Sequence, residues 1–224
     1  MFYRPENSLA AFEHTISLGV GWAECDIRLS RDLTPVLHHD EAIPLPTGDA
    51  KAIRELDYRR LGEIDIGGGE TVPTLKTLLK RFGKQLQFDL EIKELDAVER
   101  IVQLVLEMDL ADRVILSSFI PEALQTAQDI APVIPRGLLV DRLTGRIVGG
   151  KSAVKAALML GCDYLLPHYK ALSAHWVTDA QSEGMKVMPW TVNRMDEAKA
   201  LIEMGVDGLI SDRPDQFFPL IAAI

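Results

Sequence analysis

The second half of the chain repeats one pattern three times: an amphipathic run, a glycine, then a short apolar stretch. Val154, Ala157 and Leu158 lead to Gly161 and "CDYLLP"; Trp176, Val177 and Ala180 lead to Gly184 and "MKVMPWTV"; Ala198, Leu201 and Ile202 lead to Gly205 and "VDGLIS". Apolar residues three and four apart mark one face of a helix. A glycine just past the helix takes a left-handed C-cap conformation without steric cost. Helices alternating with strands imply a parallel sheet. The first helix follows the same rule: Leu9, Phe12 and Ile16 share a face, Asn7 or Ser8 can cap its start, and Gly19 ends it. Further strands are expected at "WAECDIRL", "LQFDLEIK", "RVILSSF" and "RGLLV". A chain of 224 residues suits one domain, residues 1–224. The number of units favours a closed α/β barrel of the TIM (β/α)8 type over an open doubly wound sheet, and no glycine-rich strand-to-helix turn of the dinucleotide type is present.

Two departures from the pattern matter. Between "ECDIRL" and "PVLHHD" lie only the residues "SRDLT", whereas a parallel crossover needs about a dozen. These runs should form a hairpin, with the second strand outside the barrel count. Residues 41–70, rich in glycine and proline, then read as an irregular insertion, and long loops of this kind often cover a site. The second departure is the strand count, which is one short of eight. The missing strand should precede the first helix, where only residues 1–4 remain. A barrel without it has two unpaired edges, so either Met1 to Tyr3 supply a stub or the natural sequence begins earlier.

Composition narrows the function classes. The net charge of −9, with acidic and basic residues interspersed, argues against a nucleic-acid-binding surface. No apolar run is long enough to span a membrane, and "MFYRPENS" lacks the apolar stretch of a signal peptide. Cys25 and Cys162 lie in apolar, strand-like contexts and are expected to be buried free thiols, which suits a reducing compartment and a cytoplasmic location.

Side chains alternate across a strand, so Glu24, Asp26 and Arg28 share one face while Cys25, Ile27 and Leu29 take the other. In "LQFDLEIK", Asp89, Glu91 and Lys93 oppose Phe88, Leu90 and Ile92 in the same way. The apolar faces suit packing against helices, which turns the charged faces into the barrel, where charge is costly unless paired or bound to metal. Glu24, Asp26 and Glu91 can therefore converge on one divalent cation. All-oxygen ligation favours Mg2+, Ca2+ or Mn2+ over Zn2+. Lys93 would stand beside that site and hold an anionic substrate. His39, on the hairpin, would enter the same mouth as general acid or base. Such a set suits phosphoryl transfer.

Other readings stay open at this level. A Glu-x-Asp pair also occurs on solvated strand edges, and Glu91 with Lys93 would serve equally as an ion pair inside the barrel. His38, adjacent to His39, should face away from any site. Trp190, near a strand end, fits either the core or a pocket wall. Glu6 can simply favour the positive end of the first helix. His14, His168 and His175 show no partner pattern.

Taken in order, these residues resemble the glycerophosphodiester phosphodiesterase family over almost the whole chain. "PENSLAAFEHTISLG" resembles the family's first-helix motif, and "ECDIRLSRDLTPVLHHD" its paired-acid strand and His-Asp hairpin. "VPTLKTLL", "LEIK", "VILSSFIPEAL", "PWTVN" and "GVDGLISDRPD" follow in family order. The resemblance implies a TIM barrel that hydrolyses small glycerophosphodiesters to glycerol 3-phosphate and an alcohol. It implies a divalent cation, commonly Ca2+ or Mg2+, on residues matching Glu24, Asp26 and Glu91. His39 matches one of two acid/base histidines, Lys93 the lysine of the family's "EIK", and Trp190 its pocket tryptophan.

One element of the family pattern has no counterpart. The family normally begins with a strand ending in His-Arg-Gly, several residues before "PEN", which supplies the other acid/base histidine and a phosphate-contacting arginine. Here no histidine precedes His14, and the gap coincides with the strand absent from the barrel count. A start codon assigned too late or a shortened chain is the expected cause; a homologue that has lost this half of the site is the alternative. Activity of the chain as written is then expected to be impaired. Two other functions fit the same features: a related phospholipase-type barrel acting on a larger lipid, and an inactive barrel that binds phosphodiesters or a protein.

Overall fold

The structure is a computed structural model and describes residues 3–141 and 150–221. Helix α1 (Leu9–Ser17) begins where Ser8 Oγ accepts the amide of Ala11 at 3.1 Å, which makes Ser8 the cap, and Gly19 follows its end at φ +77°. Strand β1 (Trp22–Leu29) and β2 (Pro35–Leu37) pair antiparallel from Ile27–Leu37 to Leu29–Pro35, the expected hairpin. After the insertion come α3 (Leu75–Phe82), β7 (Gln87–Ile92), α4 (Val98–Glu107), β8 (Val114–Ser118), α5 (Pro121–Ile130) and β9 (Arg136–Val140). They are followed by α6 (Gly150–Met159), β10 (Tyr164–Pro167), α7 (Ala174–Ser182), β11 (Lys186–Val187) and α8 (Met195–Glu203). The sheet order is β11-β10-β9-β8-β7-β1-β2, parallel throughout except for β2. Gly161, Gly184 and Gly205, the glycines of the repeated pattern, all have positive φ, at +60°, +83° and +85°.

The expected last strand, "VDGLIS", is extended without forming a regular ladder. The Asp207 amide donates to Val187 O at 2.9 Å and that of Ile210 to Pro189 O at 3.0 Å, which carries the sheet one segment past β11. A side chain at Gly208 would meet Met188 Cγ at 3.2 Å, so the two segments approach closely there. At the opposite end, β2 covers only the last three residues of β1. Trp22 to Cys25 pair with β7 alone among the described residues, and beyond the ladder the His38 amide still donates to Asp26 O at 3.0 Å. Of the stub expected from Met1 to Tyr3, the first two residues lie outside the described residues, and Tyr3 is not in a strand.

Alternation sorts the faces as expected. Cys25, Ile27 and Leu29 of β1 and Phe88, Leu90 and Ile92 of β7 are buried against α3 and α4, through Leu75, Leu78, Phe82, Ile101 and Val105. Both cysteines are buried free thiols.

The insertion is more ordered than "irregular" implies. It contains the hairpin β3 (Ala42–Pro44)–β4 (Ala50–Ala52), the short helix α2 (Tyr58–Leu61) and the hairpin β5 (Asp65–Gly67)–β6 (Glu70–Thr71). Ile43, Ile53, Leu61, Ile64 and Val72 form a separate apolar cluster with Val36 of β2. Apolar residues scattered through a turn-rich segment show no period, so sequence pattern misses such a core. The described residues end in α9 (Phe218–Ile221). Among the described residues, no helix is long and apolar enough to cross a membrane.

Candidate active site

Parallel register sets Glu24 opposite Asp89 and Asp26 opposite Glu91 on β1 and β7. With the apolar faces packed on helices, these carboxylates turn into a cavity of about 770 Å³ that Lys93, His39 and Trp190 also line. One oxygen each from Glu24, Asp26 and Glu91 lies within 4.8 Å of the others. Lys93 Nζ stands 2.9 Å from Asp26 Oδ1 and 2.5 Å from Glu91 Oε1. The strand faces read from sequence thus bring the three acids and the lysine together.

Burial makes this cluster electrostatically crowded. It raises Glu24 well above the ordinary carboxylate range, and the neighbouring charges of Asp26, Asp89 and Glu91 add to the effect against the pull of Lys93. Burial also raises Glu91; Lys93 opposes the rise and Asp26 reinforces it. Asp89 is pushed up to about 7 by burial, with the Ser117 hydroxyl acting in the opposite direction. Burial works against the Lys93 ammonium, but Asp26 and Glu91 outweigh it and hold its pKa above the usual lysine value. A divalent cation would relieve this crowding. The donors are all hard carboxylate oxygens, one from each of Glu24, Asp26 and Glu91. The residues therefore fit such an ion.

Asn7 positions Asp26. It is buried at φ +56°, its Nδ2 donates to Asp26 Oδ2 at 2.8 Å, and its Oδ1 accepts the Asp26 amide at 3.1 Å. This role was missed in the sequence, where Asn7 reads as a cap. The signal available was an asparagine just ahead of a better cap, a residue type that tolerates left-handed backbone.

The hairpin ends with His38 and His39. Arg28 donates through Nε and Nη2 to the carbonyl of His39, at 3.0 and 2.8 Å, and pairs with Glu94. His39 Nδ1 lies 2.9 Å from Asp40 Oδ1, so Nε2 is the ring nitrogen left to exchange a proton. His38 Nδ1 meets Asp40 O at 2.8 Å, and His38 does not line the cavity. The His39 hydrogen bond holds Asp40 below the usual carboxylate value.

The rest of the lining is mostly apolar, with Asp141, Ser211 and Asp212 among it. Trp190 donates from Nε1 to Leu166 O at 2.8 Å and meets Phe119 and His168 edge-on, with ring centroids 5.5 and 5.1 Å apart. It is both a packed residue and a wall of the cavity. His14 lines the cavity as well, from α1, beside the ring of Tyr3. No residue of the insertion, 41–70, is among those lining the cavity, so the expectation that it covers the site is not met. It braces α1 instead: Glu70 Oε2 accepts the Ala10 amide at 3.1 Å, and Gly67 lies against Pro5.

Comparison with known proteins matches residues 2–216 to the Glycerophosphoryl diester phosphodiesterase family. A glycerophosphodiester phosphodiesterase of Caldanaerobacter subterraneus subsp. tengcongensis is 29% identical, over 97% of this chain and 92% of the relative. One from Bacillus subtilis is 26% identical, over 96% and 81%. Among solved structures, a glycerophosphodiester phosphodiesterase from Parabacteroides distasonis superposes with a TM-score of 0.84 at 28% identity, covering 97% of this chain and 90% of that one. A phosphodiesterase from Oleispira antarctica, solved in complex with the product sn-glycerol-3-phosphate, gives 0.83 at 27% identity, covering 97% and 92%. These likenesses bear out the TIM-barrel class expected from the alternation of helices and strands.

Proposed function

Because the chain belongs to the Glycerophosphoryl diester phosphodiesterase family, a family of phosphodiesterases, we propose that it hydrolyses glycerophosphodiesters to glycerol 3-phosphate and an alcohol with a divalent cation, Ca2+ or Mg2+. The observation that carries this reading is the meeting of Glu24, Asp26 and Glu91 within 4.8 Å, beside Lys93. These three carboxylates would hold the cation, which when bound supplies positive charge for the phosphate oxygens. Lys93 would offset charge that builds on the phosphate in the transition state. His39, steadied by Asp40, would move a proton between the attacking hydroxyl and the leaving alcohol oxygen through Nε2. Trp190, backed by Phe119, would bury the carbon face of the glyceryl group.

The test pairs binding with turnover. Calorimetry of the purified chain should show Ca2+ or Mg2+ binding that Glu24→Ala and Glu91→Ala both weaken. Wild-type affinity retained in both variants would sink the metal assignment. Glycerol 3-phosphate release from glycerophosphocholine, faster than from lysophospholipid or sphingomyelin, separates this reading from the phospholipase alternative. Binding of metal and substrate with no release would favour the inactive phosphodiester-binding barrel.

A further inference from the structure

Asp212 lines the cavity among the mostly apolar residues, apart from the carboxylates of the proposed cation site, and nothing in the proposed function employs it. It follows the extended segment that runs beside β11. The Ile210 amide donates to Pro189 O at 3.0 Å and the Val192 amide to Ile210 O at 2.9 Å, so residues on either side of Trp190 hold that segment. Asn193, which is not itself among the lining residues, fixes the carboxylate. Its Nδ2 donates to Asp212 Oδ2 at 2.7 Å, and its Oδ1 accepts the Asp212 amide at 3.0 Å and the Ser211 hydroxyl at 3.2 Å. Asp212 Oδ1 accepts no hydrogen bond from a described residue. An exposed carboxylate ordinarily keeps its rotamer freedom. Here an asparagine holds one in a single pose and leaves an oxygen open as an acceptor.

Charge and hydrogen-bonding capacity decide what this group can recognise. A carboxylate repels phosphate oxygens, so it belongs to the end of the substrate that the phosphate does not occupy. It is an acceptor and takes a donor, and the donors of a glyceryl group are its free hydroxyls. Trp190 would cover the carbon face of that group, and Asp212 stands on the segment bonded to both sides of Trp190. We propose that Asp212 is a specificity residue, accepting a hydrogen bond from a glyceryl hydroxyl, with Asn193 as the residue that positions it. A site built to bond a hydroxyl rejects analogues without one far better than an apolar pocket rejects an added group. The cavity would therefore select glycerol over a plain alkyl phosphate. The assignment rests on the proposed function, since it takes the glyceryl group to lie against Trp190.

The test is a binding measurement that does not depend on turnover. Calorimetry, with Ca2+ and separately with Mg2+ present, compares glycerol 3-phosphate with n-propyl phosphate, which keeps the phosphate and carbon chain without the hydroxyls. Wild type should hold glycerol 3-phosphate tighter by about tenfold or more. Asp212→Ala should abolish that preference by weakening glycerol 3-phosphate alone. n-Propyl phosphate should bind unchanged or tighter, because a negative charge has gone. Asp212→Asn keeps an acceptor oxygen and should retain part of the preference; Asn193→Ala should lose part of it. Thermal melts establish that each variant is folded. A preference that survives Asp212→Ala overturns the assignment, as does equal weakening of both phosphates, which a structural role would give. If Asp212→Ala raises KM for glycerophosphoethanolamine and leaves glycerol 3-phosphate binding unchanged, the carboxylate reads the cationic head group and the assignment falls. Wild type that binds both phosphates equally overturns it too and leaves the proposed function standing. Wild type that binds neither overturns both.

Discussion

The two sides of the cavity differ in structure and in chemistry: one is a pair of regular strands carrying charge, the other chiefly extended segments carrying mostly apolar side chains. The inward face of β1 and β7 holds Glu24, Asp26, Asp89 and Glu91, with Lys93 just past β7; the cavity is also lined by Leu139, Met188, Trp190, Leu209 and Ile210, with Asp141, Ser211 and Asp212 beside them. The strands of the sheet pack apolar residues against the surrounding helices. The charged wall carries a desolvation cost that the apolar wall avoids. Crowded acids on one side and a tryptophan on the other suit the proposed substrate, with phosphate at one end and carbon at the other.

The sharpest way to break this comparison is to titrate the charged wall without metal. Asp89 rises from 3.8 in the unfolded chain to about 7 when folded. Its contribution to stability is therefore complete below pH 4 and lost as pH climbs through 7. At about 1.4 kcal/mol per pH unit, the loss approaches about 4 kcal/mol. In metal-free buffer, denaturant melts of wild type and Asp89→Asn should agree near pH 4. Above pH 7 the variant should be the more stable; parallel pH profiles would show that the charged wall carries no such cost.

Removing a carboxylate tests the same wall from the other direction. Glu91→Ala should weaken divalent-ion binding by more than about 10²-fold, a larger loss than a residue that only orients a ligand causes. Asn7→Ala should cost about 1–3 kcal/mol of stability, because it strips hydrogen bonds from a buried carboxylate. The same change should lower ion affinity by about 10–100-fold, as calorimetry would read. Trp190→Ala, on the apolar wall, should raise KM for a glycerophosphodiester about tenfold while leaving ion affinity unchanged. A drop in ion affinity there would mean the two walls are not independent. The smallest effect belongs to His38→Ala, which should leave turnover within about twofold of wild type; His39→Ala should lower it by about 10²-fold or more.

The legibility of these features in the sequence followed from how local their causes are. The charged faces of "AECDIRL" and "LEIK" were legible because strand alternation fixes them two residues at a time. The hairpin was legible because its connection is too short to be anything else. Asn7 was not, since its clamp on Asp26 spans nineteen residues, a helix and a helix-to-strand turn. Asp89 was read as inward-facing, but the Ser117 hydroxyl that acts on it comes from β8 and could not be read from its own strand. The last strand was read too regularly: residues 207–210 make the right backbone bonds beside β11 without forming a regular ladder. The core of the insertion was invisible because Ile43, Ile53, Leu61 and Val72 meet only after two hairpins have folded.

The brace between the insertion and the first helix has a consequence for inheritance of damage. Glu70 and Gly67 hold Pro5 and Ala10 on either side of Asn7, and Asn7 in turn grips Asp26. A lesion deep in the insertion, such as Leu61→Ala, touches no residue that lines the cavity, yet it loosens the anchor from which an acid of the site is aimed. Such a substitution would register first as a weakened grip on the ion, before any loss of the barrel itself. The segment that looks most expendable in the sequence is the mounting plate for one of its acids.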